Sequence, residues 1–479
     1  MKRFIFFLLL TCFFSLKLQA QSLSSGIEPY PDLVKADPRL IVKSGYLVVP
    51  ENRKKPKGPK IKIPFFFVRR PDQDARKHIT LYSTGGPGYS TTANIDSIGY
   101  NSGFLRYGGF IAFDQRGTKR AKPYLSCPEV DSAIRRSYLE GKNRDSLVLS
   151  SVKKCRQKFK EQGIDLSAYN TLESAEDIND LRLTLNLDSL NLVGISYSGG
   201  LMLTVAKLHP EAVRTLALNS PLPSFVNYEE HGLLNINEAL GQVFENCEAD
   251  SMGAIYSGLR TRFKKYFTDM SGKRFALKYK AVSKPDSVTI MYSKDELLEA
   301  IVNRLNAAQV KTVPRVIVEI LDGCHSVYVR EVLDGYFNGD QNVSLGMRYS
   351  VYCSEQIQYS SPTLQKEQDR LLPWLAGYPL NNVDHQICDC WQVTSEPKSV
   401  KDPVYSSVPA LISAGDIDPW CRPYYNRLIQ RYLPNSQVLI FKNKGHGPGY
   451  YADGVDYLDM FMRNPFKKLL PGSKGVKVE

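Results

Sequence analysis

After its first 20 residues, the sequence has no long hydrophobic run. No later stretch reaches the roughly 18 uninterrupted apolar residues of a membrane-spanning helix, so no such helix is predicted in the mature chain. The sequence also lacks an H-E-x-x-H motif, an internal repeat and a long low-complexity segment. These absences exclude a frequent zinc-enzyme signature and the repeat architectures. The 479 residues, 43% hydrophobic and 23% charged, are typical of a soluble globular protein with two or three domains.

Positive charge is plentiful in the sequence but is not concentrated in one place. The formal net charge is +13, and Lys and Arg are spread along the chain with only small groups within residues 54–62 and 467–477. Such dispersed charges are typical of a solvated surface. We therefore expect no nucleic-acid site.

Residues 1–20 have the pattern of a secretory signal peptide. Two basic residues precede an apolar stretch over residues 4–16, and Ala20 ends the segment. We predict cleavage after Ala20 and export to the periplasm or the medium. Cys12 raises the alternative of a lipoprotein. Thr11 is a poor residue before a lipidated cysteine and the apolar run continues past it, so we expect neither a lipid anchor nor stable membrane insertion.

Removal of the signal peptide leaves an even number of cysteines. An even count in an exported chain predicts disulfides, although the pairing stays open among 105 possibilities. Cys388 and Cys390 lie near His385, but their spacing matches no common zinc pattern, so no metal site is predicted. The eight cysteines are Cys127, Cys155, Cys247, Cys324, Cys353, Cys388, Cys390 and Cys421.

Strand-like and helix-like segments alternate through much of the chain. Such alternation indicates an α/β fold with a mostly parallel sheet and helices on both faces. The predicted strands are 45–50, 61–69, 78–82, 108–113, 190–195, 213–219, 410–414 and 437–441. The predicted helices between them are 171–185, 201–208, 424–432 and 455–462.

The middle of the chain interrupts this alternation. Helical patterns such as residues 294–305 and 313–321 predict a large helical lid inserted between the sheet strands, over the strand ends. The predicted organisation is a signal peptide at 1–20, the first part of the core at 21–222, the lid at 223–400 and the second part of the core at 401–479.

A serine lies where one predicted strand meets the following helix. The apolar run Leu190–Ile195 leads to Ser196, and the positions two residues before and after it are Gly194 and Ser198. A nucleophilic serine on a sharp strand-to-helix turn needs small residues at those positions because the strand and the helix pass closely. Ser198 is the alternative nucleophile, but Ser196 is preferred because Ile195 still continues the strand.

Two later strands end in the residue types that activate a serine. The strand at 410–414 leads to Asp416 and Asp418, and the strand at 437–441 leads to His446 between two glycines. A hydroxyl is a weak nucleophile until an imidazole takes its proton, and a buried carboxylate must orient that imidazole. We predict Asp418 as the acid, with Asp416 as the alternative. The chain order Ser, Asp, His is that of an α/β-hydrolase.

A glycine-rich loop follows the predicted strand at 78–82. In hydrolases with this chain order, two backbone N–H groups stabilise the oxyanion, one from the residue after the nucleophile and one from such a loop. Tyr197 is the residue after the nucleophile. Within residues 85–88, Pro87 has no N–H, so Gly86 is the predicted second donor.

Taken in order, these motifs resemble the proline iminopeptidase and tripeptidyl aminopeptidase family of secreted serine peptidases with the α/β-hydrolase fold. The resemblance runs from about residue 45 to 465. It rests on Gly85-Gly86-Pro87-Gly88, Asp114-Gln115-Arg116-Gly117, Gly194-Ile195-Ser196-Tyr197, Asp418-Pro419 and Gly445-His446, and Cys127-Pro128 with Cys155 is similar to the larger exported branch.

The resemblance implies cleavage of one or a few residues from the free amino terminus of a peptide. It implies an acidic group in the lid that binds the amine, for which Glu229 and Glu230 are the candidates. It also implies a Cys127–Cys155 disulfide.

By the same comparison, Asp114 and Arg116 are expected to pair and brace the glycine-rich loop. Thr84, Ser198 and Arg422 depart from the family pattern, which weakens any transfer of specificity for proline.

The leading hypothesis is therefore an exported serine aminopeptidase with catalytic residues Ser196, Asp418 and His446, acting on peptides with a free N-terminus. No cofactor and no metal are predicted. A carboxylesterase or lipase is the alternative, because the same acyl-enzyme chemistry cleaves esters. A third hypothesis, a binding protein with an inert serine, gains little support because no catalytic position is missing.

Overall fold

The computed structural model describes residues 26–249, 254–281 and 286–479. The predicted signal peptide at 1–20 and Cys12 lie outside these residues. The strands of the described residues are β1 Gly26–Pro29, β2 Lys35–Ala36, β3 Ile41–Pro50, β4 Lys60–Arg69, β5 Ile79–Ser83, β6 Ser97–Ile98, β7 Phe110–Phe113, β8 Leu190–Ile195, β9 Val213–Asn219, β10 Phe275–Tyr279, β11 Val288–Tyr292, β12 Ala410–Gly415, β13 Ser436–Phe441, β14 Tyr451–Ala452, β15 Val455–Asp456 and β16 Val476–Val478.

The helices alternate with the later strands of the sheet and also fill a long insertion. None of the helices within the described ranges is both long and apolar enough to cross a membrane. They are α1 Pro128–Glu140, α2 Arg144–Glu161, α3 Thr171–Thr184, α4 Tyr197–Leu208, α5 Gly232–Ala249, α6 Leu259–Asp269, α7 Lys294–Val302, α8 Val313–Leu321, α9 His325–Asn338, α10 Leu345–Glu355, α11 Pro362–Leu371, α12 His385–Trp391, α13 Pro423–Tyr432 and α14 Tyr457–Arg463.

Ten strands form one sheet in the order β1-β3-β4-β7-β5-β8-β9-β12-β13-β16. The six strands from β7 to β13 in this order run parallel, whereas β1, β3 and β4 at one edge and β16 at the other are antiparallel to their neighbours. Parallel strands end at the same edge of a sheet, so the loops that follow β5, β8, β12 and β13 meet there.

Helices cover both faces of this sheet, as the sequence predicts. Along β12, successive side chains alternate between the faces. Ile412 packs in one cluster with Ile429 of α13, and Leu411 packs in another with Phe461 of α14. All six residues of β12 are buried, which is typical of a strand covered on both sides. The α/β architecture with a mostly parallel sheet is therefore confirmed.

A long insertion, here called the cap, occupies residues 220–409 between β9 and β12. It contains α5 to α12, whose apolar faces form a core of their own around residues such as Phe244, Phe263, Ile301 and Ile317. The cap also contains the antiparallel hairpin β10–β11, which the helical interpretation of this region missed. The short edge strand β16 was likewise not predicted.

Two helices that precede the cap in sequence pack against it. Tyr138 of α1 donates a hydrogen bond to Glu296 of α7 at 2.7 Å, and the rings of Phe159 in α2 and Trp391 in α12 meet edge to face at 6.3 Å. The layer above the sheet edge is therefore built from both 128–161 and the cap.

Two disulfides connect these helices. Cys127–Cys155 joins the start of α1 to α2, and it is the pair implied by the family resemblance. Cys353–Cys388 joins α10 to α12. Cys324, Cys390 and Cys421 carry free thiols, so the expectation of disulfides from an even cysteine count holds for only part of the set.

Candidate active site

Ser196 lies on a sharp turn between β8 and α4. Its backbone has φ 58° and ψ −124°, a combination that costs a non-glycine residue about 1–3 kcal/mol and is concentrated at functional sites. A Cβ on Gly194 would lie 2.5 Å from the Ser198 carbonyl oxygen. A side chain at position 194 would therefore clash with the helix, which explains why a small residue is needed there.

Ser198, the alternative nucleophile, is part of the support for this turn. Its side chain is fully buried. Its hydroxyl donates to the Ser83 carbonyl at 2.6 Å and accepts the Ile195 N–H at 2.9 Å. The hydroxyl that departs from the family pattern thus ties β8 to β5 and is unavailable as a nucleophile.

The glycine-rich loop at residues 84–89 passes directly beside Ser196. A Cβ on Gly85 would lie 1.8 Å from the Ile195 carbonyl oxygen and 2.8 Å from Ser196 Cβ, and Gly86 has φ +71°. Tyr197 is the first residue of α4, and the first N–H groups of a helix have no intrahelical acceptor. The two predicted oxyanion donors, Gly86 and Tyr197, therefore belong to backbone segments that meet at the serine.

Asp114 fixes the continuation of this loop. Its buried carboxylate accepts hydrogen bonds from the Ser90 hydroxyl at 2.8 Å and from the Thr92 N–H at 2.7 Å. Arg116 does not pair with Asp114, contrary to the expectation from the sequence. It binds Asp177 of α3 through Nε and Nη2 at 2.8 and 2.7 Å, with Glu173 also 3.3 Å from Nη2. Asp114 therefore braces the loop without a contribution from Arg116.

His446 and Asp418 form the predicted imidazole–carboxylate pair. His446 Nδ1 lies 2.9 Å from Asp418 Oδ2, and the Asp418 side chain is fully buried. Its other oxygen accepts the Trp420 and Cys421 N–H groups at 3.0 and 2.8 Å. Burial favours a higher pKa for Asp418, but the charge and hydrogen bond of His446 and the backbone donors lower that pKa below its ordinary value. The ionised carboxylate accepts only, so Nδ1 carries the proton and Nε2 is left as a base.

Asp416, the alternative acid, lies elsewhere in the loop. Its carboxylate accepts the Lys444 N–H at 3.3 Å, and burial raises its pKa to about 6. It makes no hydrogen bond to His446 in the described part of the chain. The structure therefore brings Asp418 rather than Asp416 to the imidazole.

Cys421 lies between the serine and the imidazole–carboxylate pair. Its Sγ is 3.9 Å from Ser196 Oγ, and Sγ, a ring nitrogen of His446 and an oxygen of Asp418 all lie within 4.8 Å of one another. The Ser196 hydroxyl contacts this thiol instead of forming a hydrogen bond with His446. Catalytic hydrogen bonds are often long in the absence of substrate and tighten when it binds.

Glu229 is directed into the same region from the cap. Its carboxylate accepts the Asn381 amide at 2.9 and 3.0 Å. Burial raises the pKa of Glu229 to about 7, against the hydrogen bonds of Asn381 and Tyr352 and the charge of Arg348. The charge of Glu229 in turn adds to the burial and the Asp418 charge that raise the pKa of Cys421. The carboxylate is thus within electrostatic range of the thiol that contacts Ser196.

Glu230 has a different position, although it follows directly in sequence. Its Oε2 accepts the Ser361 N–H at 2.8 Å, and its carbonyl accepts the side-chain amide of Gln368. These bonds hold α11, which begins at Pro362. Of the two candidate amine-binding carboxylates, only Glu229 interacts with groups that surround the serine.

Two residues of the site, Ser220 and Trp420, were not predicted from the sequence. Ser220 has φ 48° and is fully buried. Its hydroxyl accepts the Gly447 N–H at 3.0 Å and hydrogen-bonds the Asp418 carboxylate. The Trp420 ring packs edge to face on His446 with centroids 5.3 Å apart. The sequence offered one clue to Ser220: it directly follows the predicted strand that ends at Asn219, at the sheet edge where the other site residues lie.

Comparisons with known proteins find similar sequences for a large part of the chain. Residues 109–452, more than half of the chain, match the family described as alpha/beta hydrolase fold. A tripeptidyl aminopeptidase from Streptomyces lividans is 24% identical over 194 residues, which cover 37% of this chain and 35% of that protein. A tripeptidyl aminopeptidase from Streptomyces coelicolor is 24% identical over 193 residues, with the same shares of 37% and 35%. The match thus spans about a third of the length of these curated relatives (35%).

Solved structures cover more of the chain at lower identity. An alpha/beta hydrolase fold protein from Chitinophaga pinensis is 12% identical with a TM-score of 0.35, covering 88% of this chain and 94% of that one. A 2-hydroxy-6-oxo-6-phenylhexa-2,4-dienoate hydrolase from Rhodococcus is 11% identical with a TM-score of 0.31, covering 85% and 93%.

Proposed function

This chain belongs to the alpha/beta hydrolase fold family, and on that premise we propose that it is an exported serine aminopeptidase. It releases a residue or a short peptide from the free N-terminus of peptides through an acyl-enzyme. The observation that carries the proposal is a half-buried cap carboxylate, Glu229, within electrostatic range of Cys421, the thiol that contacts the strained Ser196 and lies beside the hydrogen-bonded His446–Asp418 pair.

In the proposed mechanism, Ser196 Oγ attacks the scissile carbonyl while His446 Nε2 takes the hydroxyl proton. The N–H groups of Gly86 and Tyr197 stabilise the oxyanion of the tetrahedral intermediate. When the C–N bond breaks, the imidazolium gives the proton to the departing amine, which leaves an ester on Ser196. Water then attacks this ester while His446 Nε2 takes a proton from it, and the imidazolium gives that proton to Ser196 Oγ as the ester C–O bond breaks, which releases the carboxylic acid and restores the free serine. Asp418 orients the ring and stabilises its cation throughout.

Glu229 supplies the specificity for a free amine. An ionised carboxylate that is partly shielded from water and held by hydrogen bonds binds an ammonium group through charge-assisted hydrogen bonds. Asn381 donates to both carboxylate oxygens and so holds the group in place. The partial likeness to tripeptidyl aminopeptidases supports the same substrate class.

Export is supported by the two disulfides, Cys127–Cys155 and Cys353–Cys388, since such bonds persist in oxidising compartments. The N-terminal sequence of the protein recovered from periplasm or medium is expected to begin at Gln21. Recovery of the full-length chain from the cytoplasm would contradict this part of the proposal.

The test is hydrolysis of aminoacyl and tripeptidyl anilides with a free amine, compared with their N-acetylated versions and with short-chain esters. Free-amine substrates are expected to be cleaved, and Ser196→Ala is expected to abolish the activity. Efficient turnover of blocked substrates and esters without turnover of free-amine peptides would favour the carboxylesterase alternative.

A further inference from the structure

Helix α10 connects the glycine-rich loop with the residues that pack behind Tyr197. Just before its first residue, the Ser344 N–H donates to the Gly88 carbonyl of the glycine-rich loop at 2.9 Å. In its middle, Tyr352 hydrogen-bonds Glu229. Glu355, the last residue of the helix, accepts a hydrogen bond from Thr171, and the Thr171 hydroxyl is hydrogen-bonded to the Tyr197 hydroxyl. This cap helix is thus linked to the glycine-rich loop through Ser344, to Glu229 through Tyr352 and to Tyr197 through Thr171.

Both oxygens of the Glu355 carboxylate are held by one residue, Thr171. Oε1 accepts the Thr171 N–H and Oε2 accepts the Thr171 hydroxyl, each at 2.6 Å. The same hydroxyl oxygen lies 2.8 Å from the Tyr197 hydroxyl. Because Thr171 gives its one hydroxyl proton to an acceptor-only carboxylate, the Tyr197 hydroxyl is the donor to Thr171. The hydrogen bonds therefore run in one direction, from Tyr197 through Thr171 to Glu355.

This chain of bonds matters because the turn at Ser196 is strained. A residue with positive φ keeps its conformation only when its surroundings hold it, and the N–H of Tyr197 has no helical acceptor to fix its direction. The Tyr197 side chain is buried, and together with Thr171 and Glu355 it lines a small cavity behind the turn. A bond at the tip of its ring therefore restrains the backbone from which the ring projects.

We propose that Glu355 is a positioning residue for the oxyanion hole, acting through Thr171 to hold Tyr197 and thereby to aim its N–H beside Ser196. The inference rests on the proposed serine-hydrolase mechanism and adds to it a residue of the cap that touches neither substrate nor reacting atoms. Nothing in the motifs assigns a role to Glu355, which lies 184 residues from Thr171 in sequence.

The ionisation of Glu355 fits this role. Burial raises its pKa to about 7 and the charge of Glu396 adds to the rise, while the Thr171 bonds and the charge of Lys401 oppose it. Tyr197 and Tyr228 are the other titratable groups that face it, and both keep their protons because their pKa values are raised. Above a pH of about 7, the ionised carboxylate accepts both Thr171 hydrogen bonds, and protonation at lower pH removes one acceptor.

The experiment is a double-mutant cycle on the purified full chain with Glu355→Gln and Tyr197→Phe. Two rates are measured, the labelling of Ser196 by a fluorophosphonate and the steady-state hydrolysis of an activated ester and of a free-amine peptide anilide. Tyr197→Phe removes only the hydroxyl, and Thr171→Ser serves as the conservative rescue because it keeps a hydroxyl at the same position. Glu296→Gln, at a buried carboxylate that caps α7, is the matched control.

Each single variant is expected to lower kcat and the labelling rate about 10-fold, the lower end of the range for supporting hydrogen bonds around active groups. KM should stay within about twofold. The double variant should be no slower than the slower single variant, because both changes break one chain of bonds. Thr171→Ser and Glu296→Gln should keep the kcat of the unmodified chain.

Wild-type kcat in both single variants, effects that multiply in the double variant, or a loss confined to KM would overturn the proposal. If a thermal melt shows that the Glu355→Gln variant is not folded, the same double-mutant cycle is carried out with Thr171→Val and Tyr197→Phe, and its outcome tests the proposal in the same way. If the unmodified chain is labelled at Ser196 but shows no preference for free-amine substrates, the aminopeptidase assignment is wrong. The proposal for Glu355 is still tested in that case, because labelling and ester turnover both depend on the oxyanion hole. A chain whose Ser196 is never labelled would refute both.

Discussion

Replacing Glu229 by Gln is expected to remove the preference for substrates with a free amine. The substitution keeps the shape of the side chain and an acceptor oxygen, but it removes the negative charge. Asn381 donates to both oxygens of the carboxylate, and the amide can still accept one of these bonds. The fold around the site is therefore expected to remain, and the measured change reports the charge.

The structure sets the size of the effect. Burial raises the pKa of Glu229 from 4.5 to about 7, which corresponds to roughly 3 kcal/mol of unfavourable ionisation in the empty site. An ammonium group at hydrogen-bond distance recovers part of this, since a hydrogen bond between charged groups contributes about 1.5–3 kcal/mol. We therefore expect kcat/KM for free-amine anilides to fall about 10- to 150-fold at pH 8, and kcat/KM for N-acetylated anilides to change little.

Glu230→Gln is the matched control for this experiment. It is the next residue, but its carboxylate holds the Ser361 N–H of the cap, so its loss should leave the ratio of free to blocked substrates unchanged. Steady-state kinetics on paired substrates measures the ratio directly. If Glu229→Gln keeps the free-amine preference, or if Glu230→Gln removes it, the assignment of the amine site is wrong.

Three further predictions concern pH and stability. Binding requires Glu229 to be ionised and the substrate amine to be protonated. We therefore expect kcat/KM for free-amine peptides to peak between the pKa of Glu229, about 7, and the pKa of a peptide amine, about 8. The decline in kcat/KM at alkaline pH should be absent for ester substrates, which carry no amine. Arg116→Met leaves the buried Asp177 with Arg53 as its remaining ion-pair partner and should lower the free energy of unfolding by about 3 kcal/mol in urea denaturation. Arg136→Met at an exposed pair is the control and should leave the unfolding midpoint unchanged. Replacing Cys127 and Cys155 by Ser opens a loop with a sequence separation of 28 residues and should cost about 3–4 kcal/mol by the same measurement, and an unchanged unfolding midpoint would contradict the loop-entropy argument.

The parts of the site that the sequence predicts are those fixed by local chemistry. A serine on a strained turn needs Gly194 before it, and the clash that a Cβ would create there is found in the structure. The strand ends carrying Asp418 and His446 follow from alternation along the chain and from the common edge of parallel strands. Each of these inferences needs only residues close in sequence and one rule of topology.

The parts that could not be predicted depend on contacts between distant segments. Glu229 and Glu230 are neighbours with the same chemistry, and only the position of Asn381, 152 residues away, separates their roles. The Cys353–Cys388 bond has no local signature either, since eight cysteines allow many pairings. The hairpin β10–β11 was missed because its two strands are five residues each, too short to override the helical pattern of the region around them.

The cap makes backbone contacts with two segments of the candidate site. Leu305 accepts the N–H of His446 and Ala307 donates to its carbonyl, each at 2.9 Å, while Ser344 holds Gly88 at the same distance. Backbone hydrogen bonds of this kind each contribute about 1 kcal/mol, so a cap that opened as a rigid lid would lose several of them and release both the imidazole and the glycine-rich loop. Opening the cap as a rigid lid would therefore disturb the imidazole and the glycine-rich loop, and changes in the cap residues that make these contacts are expected to alter kcat as well as KM.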